Sequence, residues 1–410
     1  MAIHHPLVIL LPLAVGYLLY IRQYRFKRAK RLSQPYGPKG RQLSSMTLNE
    51  ADAIIDELQT LEFPTAFDKA RAYALLKTGG IPSMTKLFMA TGQNNPKNAA
   101  KRAVDTNILL METQTNPVTS NRHFQAIARI NYLHARYRAA GKILDDDMLH
   151  TLGDGLAEIV RWVNDYEWRR LSEVELCALG VWHKALGEAM EIPYTRLPSH
   201  EKEWENGAHF ARELIAWTLN YENKVAVNTP NNSAFVNNYF ETKAGKLHPA
   251  LKPVIRQMLA ADIDETMRKS MGLAASFPLF RFDANESSLP TPNIFIVSSM
   301  RAMSTLRRLY LRYLSLPRAP AQARKHLAET PNPGTKLYNF RHRYLEPWYL
   351  KASHPRQTDP GKFRAAGYDI GCVGPTPQEG KGLEEMEITI DLLQKSDRGS
   401  CPFSSGVRGS

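Results

Sequence analysis

The sequence predicts an all-α protein: one helical domain behind an amino-terminal apolar helix, followed by an irregular carboxyl-terminal extension. Two observations carry this. Apolar residues recur at helical spacing in most segments from Met46 to Leu316, whereas strand-like alternation is nearly absent. Helix start and stop signals also punctuate those segments at intervals that suit helices of three to six turns. With 43% hydrophobic and 23% charged residues, a chain of 410 residues has the balance of a globular protein with a sizeable core.

The first element is "PLVILLPLAVGYLLYI", Pro6 to Ile21, an uncharged run. Counting in Met1 to His5 brings it near the roughly 20 residues a membrane-crossing helix needs. Positive charge follows the run instead of preceding it, and no small-residue cleavage site comes before that charge, so an anchor is favoured over a cleaved signal peptide. The six Arg and Lys from Arg22 to Arg31 then place the rest of the chain in the cytosol and the short amino terminus in the lumen. Residues 1–21 are read as anchor and 22–45 as a basic, Pro/Gly/Ser-rich linker.

The helical domain is expected over residues 46–316. Thr47 and Glu50 have capping-box spacing at the start of "MTLNEADAIIDELQTLEF", and Ser172 and Glu175 repeat it before "VELCALGVWHKALGEAM". "FDKARAYALLKTGG" stops at Gly79-Gly80, and "SNRHFQAIARINYLHARYRAAG" stops at Gly141. "NNPKNAAKRAVDTNILLMETQ" and "LDDDMLHTLGDGLAEIVRWVNDYEW" lie on either side of the latter. "KEWENGAHFARELIAWTLNYE", "HPALKPVIRQMLAADIDETMRKSMG" and "SSMRAMSTLRRLYLRYLSL" complete the set. From Pro317 to Ser410 Pro, Gly and charge become dense, and short helical pieces at most are expected.

Charge and cysteine usage exclude several classes. Removing the six cations of 22–31 from the net charge of +13 leaves +7, and no zinc-finger spacing, RNA-binding signature or base-reading helix accompanies it. No nucleic-acid partner is expected. Cys177, Cys372 and Cys401 are odd in number and far apart, which argues against a disulfide framework. The sequons at Asn231 and Asn285 matter only for a lumenal domain.

His134, within "RINYLHARYRAAG", is the leading candidate for chemistry. On a helix it shares its face with Ile127, Ile130, Asn131 and Tyr137, so it points inward. A buried imidazole must satisfy both ring nitrogens. It is either a core histidine bonded to backbone or, in an all-α pocket, an axial ligand for haem iron. His183, on a face with Leu176, Leu179, Leu186 and Met190, is open to the same two readings. Histidines 123, 150, 200, 209, 326, 342 and 354 read as solvated and structural. In "KRAVDTNILL", Arg102, Asp105 and Thr106 project from one side of a helix. They are either an ordinary surface pair with a neighbouring hydroxyl or a polar cluster facing the His134 helix across an αα-hairpin.

"KRAVDT", "AIARINYLHARYRAAGKILDDDMLHTL", "RWVNDYEWRRLSEVELCALGVWHKALGEAM" and the terminal "CPF" together resemble the fungal MpaB-type membrane-bound oxygenases. That group is distantly similar to bacterial latex-clearing proteins, which are haem-dependent rubber oxygenases. The resemblance covers roughly residues 46 to 350 and the tail, and is strongest from Lys101 to Met190. It implies an all-α domain enclosing haem b, with His134 as the proximal iron ligand. Arg102, Asp105 and Thr106 match a distal R-x-x-x-T cluster, in which the bacterial enzymes carry lysine where this chain has Asp105. Arg102 would neutralise a haem propionate or hold Asp105 ionised, and Asp105 would relay a proton. The role of His183 is not inherited.

The implied reaction uses molecular oxygen to cleave a carbon–carbon double bond in the prenyl chain of a meroterpenoid secondary metabolite. The implied setting is the endoplasmic reticulum membrane, where prenylated substrate and membrane lipid meet the protein. Two rivals remain open. One is a membrane-tethered lipid- or terpenoid-binding protein without catalysis; the other is a cofactor-independent isomerase or cyclase using Asp105 as acid. Both predict that purified protein carries no haem.

Overall fold

The computed structural model describes residues 5–37, 40–244, 247–273, 293–341, 345–396 and 403. Among these the regular structure is helical, apart from two isolated bridges, Leu327–Phe340 and Tyr338–Tyr368. The expected all-α class is thus observed. Helices α1 (His5–Arg25) and α2 (Lys27–Ser33) precede α3 (Leu48–Glu57), α4 (Pro64–Lys77) and α5 (Pro82–Ala90). An antiparallel hairpin follows, of α6 (Ala99–Thr115) and α7 (Asn121–Ala139). Next come α8 (Asp145–Tyr166), α9 (Glu173–Ala189), α10 (Gly207–Val225), α11 (Pro230–Ala244), α12 (Lys252–Ala261) and α13 (Glu265–Ser270). The last two are α14 (Ile294–Leu309), prolonged by a π-helical turn to Leu314, and α15 (Leu383–Lys395).

The local signals act where the sequence puts them. Both capping boxes form: Glu50 N–H donates to the Thr47 hydroxyl and Glu175 N–H to that of Ser172, with each glutamate reaching back to the cap's own N–H. Helix α7 is capped by Ser120 and ends before Gly141, which adopts φ +63°, a left-handed conformation open to glycine at little cost. Three aspartates, Asp145 to Asp147, occupy the first turn of α8, where the positive end of the helix dipole favours them. Helices α9 and α10 meet backbone to backbone, because a Cβ at Gly180 would overlap the Gly207 carbonyl.

The interior has two parts. The larger is built from α3, α4 and α8 to α10, around side chains such as Leu58, Phe67, Leu149, Trp168, Leu179 and Phe210. A buried ion cluster fastens three of these helices. Lys77 of α4 lies 2.8 Å from Asp154 and 3.4 Å from Glu158 of α8, and 2.9 Å from Glu222 of α10. The smaller part lies between the α6–α7 hairpin and the carboxyl-terminal segment, joining Val104, Ile108 and Ile130 to Phe340, Tyr349, Tyr368 and Val373. Met190, at the end of α9, touches both.

Several expectations need correction. Residues 22–45 are not a free linker: α1 continues to Arg25, α2 follows, and Ile21, Arg25 and Leu32 are buried against the body. Helices α5 and α11 were not anticipated. The segment from His248 to Gly272 divides into α12 and α13 because Asp264 caps the second, accepting from Met267 N–H. The extension from 317 carries the 13-residue helix α15 and belongs to the smaller core. As for membrane crossing, no helix among the described residues is long and apolar enough. The side chains of residues 1–9, which begin the expected span, lie outside the described set, as do Asn285, His342, Cys401 and Pro402.

Among the groups that hold the extension is Arg129 of α7, which is fully buried. Its guanidinium donates to the carbonyls of Val373 (2.8 Å), Lys381 (2.8 Å) and Gln378 (2.7 Å). Bonds from a charged donor are the stronger kind, and removing the donor strands three acceptors. Arg129→Ala is expected to cost on the order of 3 kcal/mol in denaturant unfolding. It should also open residues 373–395 to limited proteolysis; an unchanged cleavage pattern would show that other contacts hold the extension.

Candidate functional site

The α6–α7 hairpin sets the geometry. Helix α7 is fixed at its far end to α9: the Asn131 amide donates to the Ala189 carbonyl (2.9 Å), and Arg138 donates to the Met190 (3.2 Å) and Glu191 (2.9 Å) carbonyls. One turn from Asn131 and one turn from Arg138 stands His134, on the same face.

Its ring differs from the other buried histidines. His123 Nδ1 bonds the Thr113 carbonyl at 2.8 Å, His183 Nδ1 bonds the Leu179 carbonyl at 2.7 Å, and His150 Nε2 meets Glu222 at 3.0 Å. His134 has a fully enclosed Nδ1 with no hydrogen-bond partner. A core histidine would spend this atom on backbone, since leaving it unpaired costs about 1–3 kcal/mol. Burial, reinforced by the charges of Arg138 and Arg102, lowers its pKa to about 4, so the ring is neutral at physiological pH. The Arg102 charge contributes to that shift, so the two side chains lie within electrostatic reach of each other.

Arg102 is the second unusual group. Its guanidinium lies over the ring of Phe88 (3.9 Å to the centroid) and near that of Phe235 (5.9 Å). No carboxylate pairs with it among the described residues. Burial alone depresses its pKa, to about 10, with no counter-charge to restore it. A half-buried cation without an anion, covered on one side by Phe88, leaves room for one. The surface-pair reading of Arg102 with Asp105 therefore fails. Thr106, one turn on and half-buried, shares the Arg102 side of α6.

Asp105 separates from the other two. It is 4% exposed, and Lys101 Nζ lies 2.7 Å from its Oδ2 while the Tyr349 hydroxyl donates to Oδ1 at 3.1 Å. Lys101 also donates to the Gly374 carbonyl (2.7 Å) and lies 3.2 Å from Glu379. Desolvation outweighs the lysine and raises the Asp105 pKa to about 6. Arg102 thus does not hold Asp105 ionised; Lys101 and Tyr349 do. Tyr349 sits at φ +62°, an uncommon conformation for an aromatic residue, and it escaped the sequence reading entirely. Lys101, at i−4 from Asp105, was visible in sequence but not singled out.

His183 belongs to the larger core. Its Nδ1 donates to its own helix, and burial lowers its pKa to about 4. His123 and His150, read as solvated, are instead buried at 2% and 0% exposure. His209 and His326 do have polar surroundings, beside Glu213 and Asp68 respectively. Among the described residues no group of three or more His, Cys, Asp or Glu side chains is placed to hold a bare metal ion.

The fold and site thus define an all-α protein in which a helical hairpin carries a neutral imidazole with an unpartnered Nδ1 and a half-buried arginine without a carboxylate partner among the described residues. Comparison with known proteins places it further. The chain is 33% identical to the ER-bound oxygenase mpaB' of Penicillium brevicompactum, over 97% of this chain and 94% of that protein. It is also 33% identical to the ER-bound oxygenase mpaB of the same species, over 92% and 90% of the two chains. It is 36% identical to the ER-bound oxygenase mpaB of Penicillium roqueforti, over 63% of this chain and 88% of that one. No protein-family model matches. The chain belongs to the MpaB-type oxygenase family.

Proposed function

We propose that this protein is a membrane-anchored, haem-dependent oxygenase of the endoplasmic reticulum that oxidatively cleaves a carbon–carbon double bond in a prenyl chain. The observation that carries the reading is the combination of His134, with its unsatisfied Nδ1, and Arg102, a half-buried cation with no carboxylate partner among the described residues. A neutral imidazole could hold haem iron and a cation could neutralise a propionate, so His134 and Arg102 are the residues that would hold a haem. The residues present therefore fit the group.

In this reading His134 holds the iron and Arg102 neutralises a propionate while stacked on Phe88. Haem b, when bound, supplies the redox-active iron through which molecular oxygen is used on the olefin. The protein's own part is electrostatic and positional. The low pKa of His134 keeps it unprotonated and able to coordinate. Thr106 offers a hydroxyl on the Arg102 side. Asp105 holds a proton part of the time near neutral pH, with Lys101 and Tyr349 steadying its charged form. The apolar rings of Phe88 and Phe235 beside Arg102 suit a prenyl chain better than a polar substrate.

Membrane attachment in this reading comes from α1 together with the residues ahead of it. Leu10, Leu11, Leu13 and Leu19 of α1 are all more than half exposed, and the cations from Arg22 onward favour a cytosolic domain. The relatives named ER-bound support the location.

The test is spectroscopic. Protein purified from haem-replete cells should show a Soret band and about one haem per chain, and should consume oxygen with a prenylated substrate. Protein that is haem-free yet folded, or that converts substrate without oxygen, would instead favour the binding-protein or isomerase reading.

A further inference from the structure

The structure carries a second apolar surface that the anchor does not explain. Helix α14 and its π-helical continuation run about 30 Å from Ile294 to Leu314. Phe295, Met303, Leu306, Leu309, Tyr310 and Tyr313 are exposed along it, Phe295 at 73% and Leu306 at 66%. Phe295, Leu306 and Tyr313, spaced by 11 and 7 residues, fall in one line on a helix. The opposite side is fastened to the end of α8: Arg307 donates to Glu167 (2.8 Å) and to the Tyr166 carbonyl (3.2 Å), and Arg308 donates to the Asp165 carbonyl (3.0 Å). The apolar line is thus turned outward by its own docking.

We propose that the 294–314 helix is a second membrane-contact element, lying in the interface of an anionic bilayer leaflet beside the α1 anchor. Three observations select a lipid surface as its occupant. The first is continuity: the Tyr17 hydroxyl of α1 donates to the Leu314 carbonyl (3.1 Å), and Arg25 donates to the Leu316 carbonyl (3.3 Å), so the exposed apolar side chains of both helices are neighbours. The second is charge: Ile294 to Leu316 contains no acidic residue, and Arg301 and Arg312, which take no part in the contact with α8, are exposed and available to an anionic headgroup layer. The third is the exposed tyrosines Tyr20 and Tyr24 of α1 and Tyr310 and Tyr313 of the π-helical turn that α1 contacts, since tyrosine favours the boundary between headgroup and acyl chain. Two attachment points would fix the orientation of the domain on the bilayer, so that a prenyl chain could pass from membrane to site without crossing water.

The inference rests on the anchored reading proposed above, and its test separates the two. Four full-length proteins are compared: wild type, an α1 variant (Leu11→Asp with Val15→Asp), an α14 variant (Phe295→Glu with Leu306→Glu) and their combination. All four positions are exposed, so folding should be retained, and circular dichroism checks it. Binding is measured by flotation with vesicles of phosphatidylcholine, with and without phosphatidylserine. The α1 variant should still bind the serine-containing vesicles, about tenfold or more tightly than vesicles without it, and the combined variant should lose at least about tenfold of that binding. Equal binding by the α1 and combined variants, with wild type bound, would overturn the proposal and leave α1 as sole anchor. Absence of binding by wild type would overturn both readings. An α1 variant that is dimeric by light scattering, fails to bind vesicles, and becomes monomeric on adding the α14 substitutions would assign the face to self-association instead.

Discussion

His134→Ala is expected to reduce the haem content of the purified protein at least about tenfold, whereas His183→Ala should leave it near that of wild type. The two rings look alike in sequence, each inward-facing on an amphipathic helix. Their partners separate them. His183 Nδ1 already bonds the Leu179 carbonyl within the larger core, so its loss removes packing and one hydrogen bond. That should cost on the order of 2 kcal/mol of stability without touching a cofactor. His134 has no such bond to lose. Removing its ring deletes contacts but also relieves an unsatisfied buried nitrogen, and these effects oppose each other at about 1–3 kcal/mol. The haem-free His134→Ala protein should therefore melt close to haem-free wild type, while the Soret band of protein purified in parallel disappears. Added imidazole, occupying the space of the deleted ring, should restore part of that band. A normal haem content in His134→Ala, or haem loss confined to His183→Ala, would mean that the axial ligand has been misassigned.

What the sequence disclosed and what it hid follow from the range of the interactions involved. The capping boxes at Thr47 and Ser172 and the stop at Gly141 are decided within four residues, so they were legible. The inward face of His134 follows from periodicity alone. The docking of residues 22–33 was hidden, because Pro, Gly and charge downstream suggest a linker while the burial of Arg25 and Leu32 depends on partners far along the chain, such as Trp168 and Leu316. The extension was misjudged for a related reason. Its low helical periodicity was real, but order there comes in part from Arg129, whose three bonds to backbone carbonyls leave no pattern in the extension's own sequence. The polar cluster of α6 shows the limit most clearly. Spacing of i, i+3 and i+4 confines Arg102, Asp105 and Thr106 to one arc of the helix. It cannot say that Phe88 covers one edge of that arc while Tyr349, 244 residues beyond Asp105, covers the other.

That division bears on the distal chemistry, and Asp105→Asn probes it. On the proposed reading the carboxyl is a proton-holding group and makes no contact with haem, so the substitution should preserve haem content and the Soret band. Asparagine keeps the volume and its one oxygen can still accept from Tyr349 or from Lys101, but it cannot exchange a proton near neutral pH. General acid–base assistance is worth about 10²- to 10⁴-fold, and turnover per bound haem should fall within that range. A purely structural role makes a different prediction in the pH profile. Because burial raises the Asp105 pKa to about 6, the wild-type rate should change its slope near that pH, and the inflection should vanish in Asp105→Asn. Arg102→Ala serves as the contrast, since losing the cation assigned to the propionate should lower haem content while the remaining holoenzyme retains the inflection. Lys101→Met sharpens the comparison: it deletes the cation bonded to Asp105, so the inflection should move to higher pH because less then offsets desolvation of the carboxylate. An Asp105→Asn enzyme with unchanged turnover per haem and the same inflection would show that the carboxylate only ties α6 to Tyr349 and the carboxyl-terminal segment.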